Sequence, residues 1–173
     1  MFAKIDKKQA HRRHRAGFTL LEIIVVLFVI SMGLVGVLSL VIRNIQSQSY
    51  NKDNLIAYQL AQEGIELVRK VRDSNWRTSD PFNTDLAAGY YYMDYLDEAP
   101  QATSSSASPL LRRDDDGFYR HGLSEAATSS GFTRLITIED LDVNSFRVLS
   151  DVSWNSRDND YSYVLETILY DWR

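Results

Sequence analysis

Few side chains in this sequence could do chemistry, and they are unevenly placed. Glu22 is the one carboxylate inside a long apolar run, "FTLLEIIVVLFVISMGLVGVLSLVI", residues 18–42. An ionised carboxylate in hydrocarbon costs about 2.5–3.5 kcal/mol at a helix centre on insertion scales, and less near an interface, so it should be paired or functional. Just ahead of the run stand Gly17 and the cations Arg12, Arg13 and Arg15. Downstream the only histidine is His121, and the chain has no cysteine. A nucleophilic centre would have to join Ser or Thr to His121 and a carboxylate, and "GFYRHGLSEA" lacks the context of a nucleophile elbow. His121 therefore reads as an exposed loop histidine, and no catalysis is expected. "RRDDDG", residues 112–117, sets three carboxylates in a row, a donor set that could meet Ca²⁺. Adjacent aspartates point in different directions, no alternating D-x-D-x-D-G loop with a distal Glu is present, and Arg112 and Arg113 offset the charge. This stretch, and residues 151–160 with Asp158 and Asp160, read as solvated turns. No metal site and no cofactor are expected.

The elements that position Glu22 follow from charge and hydropathy. Residues 1–17 hold six basic side chains against Asp6 alone, whereas the other 156 residues hold 13 basic and 22 acidic ones, so a basic leader precedes an acidic body. Such a body matches a phosphate backbone poorly, which argues against direct nucleic-acid binding. As a helix, residues 18–42 would extend ~37 Å, enough to cross a bilayer with some tilt. The excess of Lys and Arg before the run places the N-terminus in the cytoplasm and the body across the membrane. A cleaved secretory signal has a shorter apolar core, ~7–15 residues, followed by its small-residue site. Here the small residues, Ala16-Gly17, come before the run.

That order, in "AGFTLLEIIVV", resembles the processing site of type IV pilins and of the pilin-like pseudopilins of type II secretion systems. The resemblance implies that a membrane peptidase cuts between Gly17 and Phe18, that Phe18 becomes the N-methylated first residue, and that Glu22 serves assembly. Cleavage would create a cationic amine at Phe18, one helical turn before Glu22, available to the Glu22 of a neighbouring subunit. Glu22 would then set axial register as helices bundle. Gly17 would matter because a side chain there obstructs close approach of the peptidase. Unlike many members of the family, the chain has no proline between Phe18 and Asp80, which leaves Gly33 and Gly36 as the soft points.

Beyond the polar stretch "RNIQSQSYNKDN", the residues Ala57, Leu60, Ala61, Gly64, Ile65, Leu67, Val68 and Val71 form one stripe at helical spacing. Gln59, Gln62, Glu63, Glu66, Arg69 and Lys70 stand opposite, with Glu66 four residues before Lys70 for a surface pair. One helix is expected from Phe18 to about Asp73, with "DSNW" as its stop signal. The period then changes to two. "AGYYYMDYL" reads as a first strand, with Tyr91, Met93 and Tyr95 on one face. "QATSSSASP", residues 101–109, reads as a polar loop, and "PLLRRDDDGFYRH" as a hairpin turning at Asp116-Gly117. "FTRLITI", "SFRVLSDVSW" and "YSYVLETILY" read as further strands, with "NSRDND" turning between the last two. The alternating aromatics among them read as core.

A helix followed by strands predicts an α+β fold, the helix covering one face of an antiparallel sheet, which is also the architecture the resemblance implies. The expected divisions are a leader at 1–17, a membrane helix at 18–42, its continuation into the head at 43–76, and an antiparallel β head at 77–173. "VSWNSRDNDYSYVLETILYDW" bears a diffuse similarity to the closing strands of minor pilins of the PilV type and minor pseudopilins of the GspI type. With no cysteine to close a C-terminal loop, a minor pilin is the favoured reading, with a minor pseudopilin of a type II secretion system as the alternative. A membrane-tethered binding module is a third. The implied partners are prepilin peptidase, other pilins or pseudopilins met through their N-terminal helices, and the bacterial inner membrane.

Overall fold

The computed structural model describes residues 17–105, 109–123 and 127–172. The chain divides into two compact units, Met1–Gln46 and Ser47–Arg173, and the helix α1, Leu20–Thr78, contributes to both. The leader arginines Arg12, Arg13 and Arg15 lie outside the described residues.

In the first unit α1 begins at Leu20, two residues later than expected, because Thr19 acts as its N-cap. The helix is apolar all round: its richest 18-residue window has a mean hydropathy of 2.9, and none of that window is buried. A helix without a polar face calls for an apolar medium. The hydroxyls of Ser31 and Ser39 donate back to the carbonyls of Leu27 and Val35, at 2.7 and 3.0 Å, so neither leaves a donor unpaired. The helix continues through Gly33, Gly36 and the polar stretch that follows without a break.

In the second unit every residue of the expected stripe is buried, and the face continues through Arg72, Asn75 and Trp76. The helix therefore does not stop at Asp73. Tertiary contact overrides the poor helix formers of "DSNW": Trp76 packs into the core, and the Asn75 amide donates to the carbonyls of Phe82 and Thr84. The stop falls at Thr78, where Ser79 takes a left-handed φ of 63°. The Asp80 N–H then reaches the Asn75 carbonyl at 2.9 Å and the Ser79 N–H reaches that of Trp76 at 3.4 Å. This is a Schellman ending with Pro81 just beyond it. The expected Glu66–Lys70 pair does not form. Glu66 pairs with Arg69, and Lys70 donates to the carbonyls of Tyr95 and Asp97.

The sheet is antiparallel throughout and is centred on β5, Thr128–Asp142. One edge of β5 is shared by β1, Gly89–Tyr92, which pairs with residues 136–138, and by β3, Leu110–Arg113, which pairs with residues 128–133. β2, Gln101–Thr103, extends β1, and β4, Tyr119–Arg120, extends β3. On the other side come β6, Ser145–Ser156, and β7, Asn159–Tyr170. The expected β3–β4 hairpin turns at Gly117, φ 91°. The last hairpin turns on Arg157 and Asp158, both at positive φ, the conformation of a type I′ turn.

Three strand readings change. The first strand ends at Tyr92, because the chain turns back on itself between Asp94 and Asp97, which takes Tyr95 off the strand face. Residues 101–103 are strand rather than loop: an edge strand needs only backbone partners, and β1 supplies them. Of the aromatics, Phe82, Phe132, Phe146, Trp76 and Trp154 are core, but no tyrosine is. Tyr91, Tyr119, Tyr161 and Tyr163 pack half-buried against the core clusters, and the Tyr91 hydroxyl donates to the Ala87 carbonyl at 2.9 Å. Tyr161 and Tyr163 of β7 also meet Tyr50 and Tyr58 of the helix, at 5.2 and 5.7 Å.

The helix packs on the sheet through two clusters. Val68, Leu86, Met93, Ile136, Phe146 and Val148 belong to one. Ala57, Leu60, Leu111, Phe132, Val152 and Trp154 belong to the other. Gly64 is where backbone and sheet come closest. A Cβ added there would collide with Ser150 Oγ and stand 3.3 Å from Arg134 Cδ. Gly64→Ala should therefore destabilise the head by about 1–3 kcal/mol, despite a helix-propensity gain of ~1 kcal/mol. Urea denaturation of the head beside the unsubstituted chain checks this.

Candidate functional sites

At the N-terminal site, Gly17, Phe18 and Thr19 precede the helix and are exposed, so the Gly17–Phe18 bond lies outside regular structure. Phe18 is 78% exposed and a Cβ on Gly17 would meet nothing within 4 Å. Glu22 is the third residue of the helix, and its N–H donates to Thr19 Oγ1 at 3.2 Å. Thr19 thus caps the first turn through its hydroxyl, Thr19-Leu20-Leu21-Glu22 has the sequence of a capping box, and Glu22 is the acid of the first turn, where the helix dipole favours negative charge. Glu22 stands four residues after Phe18.

The prokaryotic N-terminal methylation motif matches residues 12–38. The chain carries a prepilin-type N-terminal methylation motif. It implies processing by a peptidase such as prepilin peptidase. No curated protein and no solved structure matches the chain. The prepilin motif leads into an apolar helix long enough to cross a membrane. Together with a helix-on-antiparallel-sheet head, this is the pilin fold pattern, and it is consistent with a pilin or pseudopilin.

Away from the prepilin motif, the head contains a polar cluster that the sequence reading missed. His121 is not an exposed loop residue: it is 6% exposed, and its Nδ1 lies 2.7 Å from Asp94 Oδ1. Its backbone N–H donates to the other Asp94 oxygen at 2.8 Å. Arg134, fully buried, donates to the carbonyls of Met93 at 2.6 Å and Leu60 at 3.2 Å. It also faces Glu63 at 3.3 Å and Asp94 at 3.6 Å. The alternation of β5 carried the signal. With Phe132, Ile136 and Ile138 inward, period two puts Arg134 on the same face. Asp94 and His121 gave no comparable signal, since both lie off the strands.

Burial alone would push the Asp94 carboxyl up. The His121 ring bond and charge, the His121 N–H and the Arg134 guanidinium together hold it below the usual carboxylate value. A depressed folded-state pKa contributes stability above the unfolded value, lost as pH falls through the folded one. Head stability should therefore fall with acidification below about pH 4. In Asp94→Asn this part of the acid limb should be absent, which chemical denaturation at pH 6, 4 and 3 would show.

The remaining site readings rest on exposed turns. Asp115 and Asp116 are solvent-exposed, while Asp114 closes its own loop by accepting the Phe118 N–H at 2.8 Å. Asp160 accepts from the Asn155 amide at 2.8 Å. No group of three or more His, Cys, Asp or Glu side chains arranged to hold a metal occurs among the described residues.

Proposed function

We propose that this chain is a subunit of a type IV pilus or related filament, cut between Gly17 and Phe18, methylated at Phe18 and assembled through its N-terminal helix. The observation that carries the reading is the prepilin motif at 12–38 running directly into an exposed apolar helix. In this reading residues 1–17 are the leader, 18–42 cross the inner membrane with the N-terminus cytoplasmic, and the rest continues into an extracytoplasmic head. Arg12, Arg13 and Arg15 supply the charge that fixes orientation. An exposed, non-helical Gly17–Phe18 bond supports cleavage there, because proteolysis favours unpaired backbone.

The new Phe18 amine would sit beside the positive end of α1, with Glu22 as the nearest countercharge. Pairing with the Glu22 of a neighbouring helix satisfies the amine and the acid in hydrocarbon at one axial stagger only. Minor-subunit status is supported by the absence of cysteine, since no disulfide can close the C-terminal region.

Fractionation tests the reading. Sheared surface filaments should contain the protein in trace amounts relative to a major subunit, and deletion of the prepilin peptidase should move all of it to the membrane. Recovery only with an envelope-spanning secretion complex would instead assign it as a minor pseudopilin. Membrane residence unchanged by the deletion would leave a tethered binding module.

A further inference from the structure

The carbonyl of Thr19 accepts the first helical bond, from the Ile23 N–H at 3.2 Å, and its hydroxyl accepts the Glu22 N–H at 3.2 Å. Together these contacts make Thr19 an N-cap: its carbonyl belongs to the helix while its own backbone does not. Gly17 and Phe18, just before it, are non-helical and exposed. The bond between them stands outside the helix because Thr19 fixes where the helix begins.

No comparable cap lies upstream. Residues 7–18 contain no Ser, Thr, Asp or Asn, and Gly17 alone among them is of a type favoured at a cap position. A start at Gly17 would make Phe18 the first helical residue and draw the Gly17–Phe18 peptide into the first turn. At the head of an apolar helix an N–H without an acceptor is costly, so the Thr19 hydroxyl weighs more here than at a wet helix end. An independent observation says why the starting point matters. The prepilin methylation motif spans residues 12–38, and the bond proposed for cleavage lies within it, ahead of Leu20. Peptidases cut unpaired backbone, at a rate that follows the population in which the bond is open.

We propose that Thr19 is a positioning residue for prepilin processing, its cap holding the Gly17–Phe18 bond out of the helix and open to the peptidase. The inference rests on the proposed cleavage at that bond. It is separate from the role of Glu22, since the hydroxyl meets the Glu22 backbone N–H and not its carboxylate.

The test is cleavage of the full chain in detergent micelles by purified prepilin peptidase, with kcat/KM taken from release of the leader. Thr19→Val keeps the branched shape but has no oxygen to cap with, and kcat/KM should fall by about 2–5-fold. Thr19→Ser and Thr19→Asn, both cap formers, should be cut at the unsubstituted rate, although asparagine differs from threonine in shape. The Cα chemical shift of Phe18 should move toward helical values in Thr19→Val and stay in place in the other two. Equal kcat/KM in Thr19→Val and the unsubstituted chain would overturn the inference. So would slow cutting of Thr19→Asn with an unmoved Phe18 shift, because the peptidase would then be reading the threonine itself. An unsubstituted chain left whole by the peptidase would overturn the filament reading and this inference with it.

Discussion

Glu22→Ala should be cut normally yet fail to enter a filament. Removing the carboxylate leaves the Phe18 amine of each neighbour without its countercharge in an apolar environment. Breaking a buried pair in this way costs about 3–5 kcal/mol, roughly 100-fold or more in association. Cleavage is unaffected because Gly17 and Phe18 stand outside the helix that Glu22 belongs to. Since Glu22 also stands at the third helical position, where either Glu or Gln can reach back to the N-cap N–H, Glu22→Gln separates the two roles. Glutamine keeps the cap, so filament entry at wild-type level in Glu22→Gln would show that helix capping was all the acid did. The expected result is that Gln fails as Ala does, read by immunoblot of sheared filaments beside an N-terminal mass for the cut.

Arg134→Met should have the largest effect on the head itself. The methionine fills much of the same volume, but Asp94 loses the guanidinium that faces it at 3.6 Å, and the carbonyls of Leu60 and Met93 lose their donors. An uncompensated buried charge of this kind costs about 3–5 kcal/mol. At ~2–4 °C per kcal/mol for a chain of this size, that lowers the melting temperature by roughly 6–20 °C. Adding Asp94→Asn should recover a large part of the loss, because the stranded charge goes with it. A double variant no more stable than Arg134→Met would show that the packing of the arginine stem, not the charge, was decisive. Stability of both variants by thermal denaturation decides the matter.

What was legible in the sequence followed from periodicity. The helix stripe from Ala57 to Val71 was readable because period 3.6 leaves few choices for a half-buried helix, and every residue named on it is buried. Phe146, Val148, Val152 and Trp154 were equally readable from period two. The N-terminal site was legible because Gly17, Phe18 and Glu22 are close in sequence and set against a uniform apolar background. What escaped depends on contacts between distant segments. The helix ran past Asp73 because Asn75 found carbonyls at residues 82 and 84. His121 looked solvated because its partner lies 27 residues away and off any strand. Residues 101–103 looked like loop because edge pairing through backbone leaves no mark on side-chain pattern. Tyrosine, apolar enough to read as core, is at most half-buried at its edge, as Tyr91, Tyr119, Tyr161 and Tyr163 are, because its hydroxyl needs water or a partner.

The most direct measurement is the N-terminal mass of the mature protein, taken from cells with and without the prepilin peptidase. A chain beginning at a methylated Phe18, and only where the peptidase is present, is the expected result. A chain beginning at Met1 in both strains would contradict assembly through a processed N-terminus and reduce the "GFTLLE" sequence to coincidence.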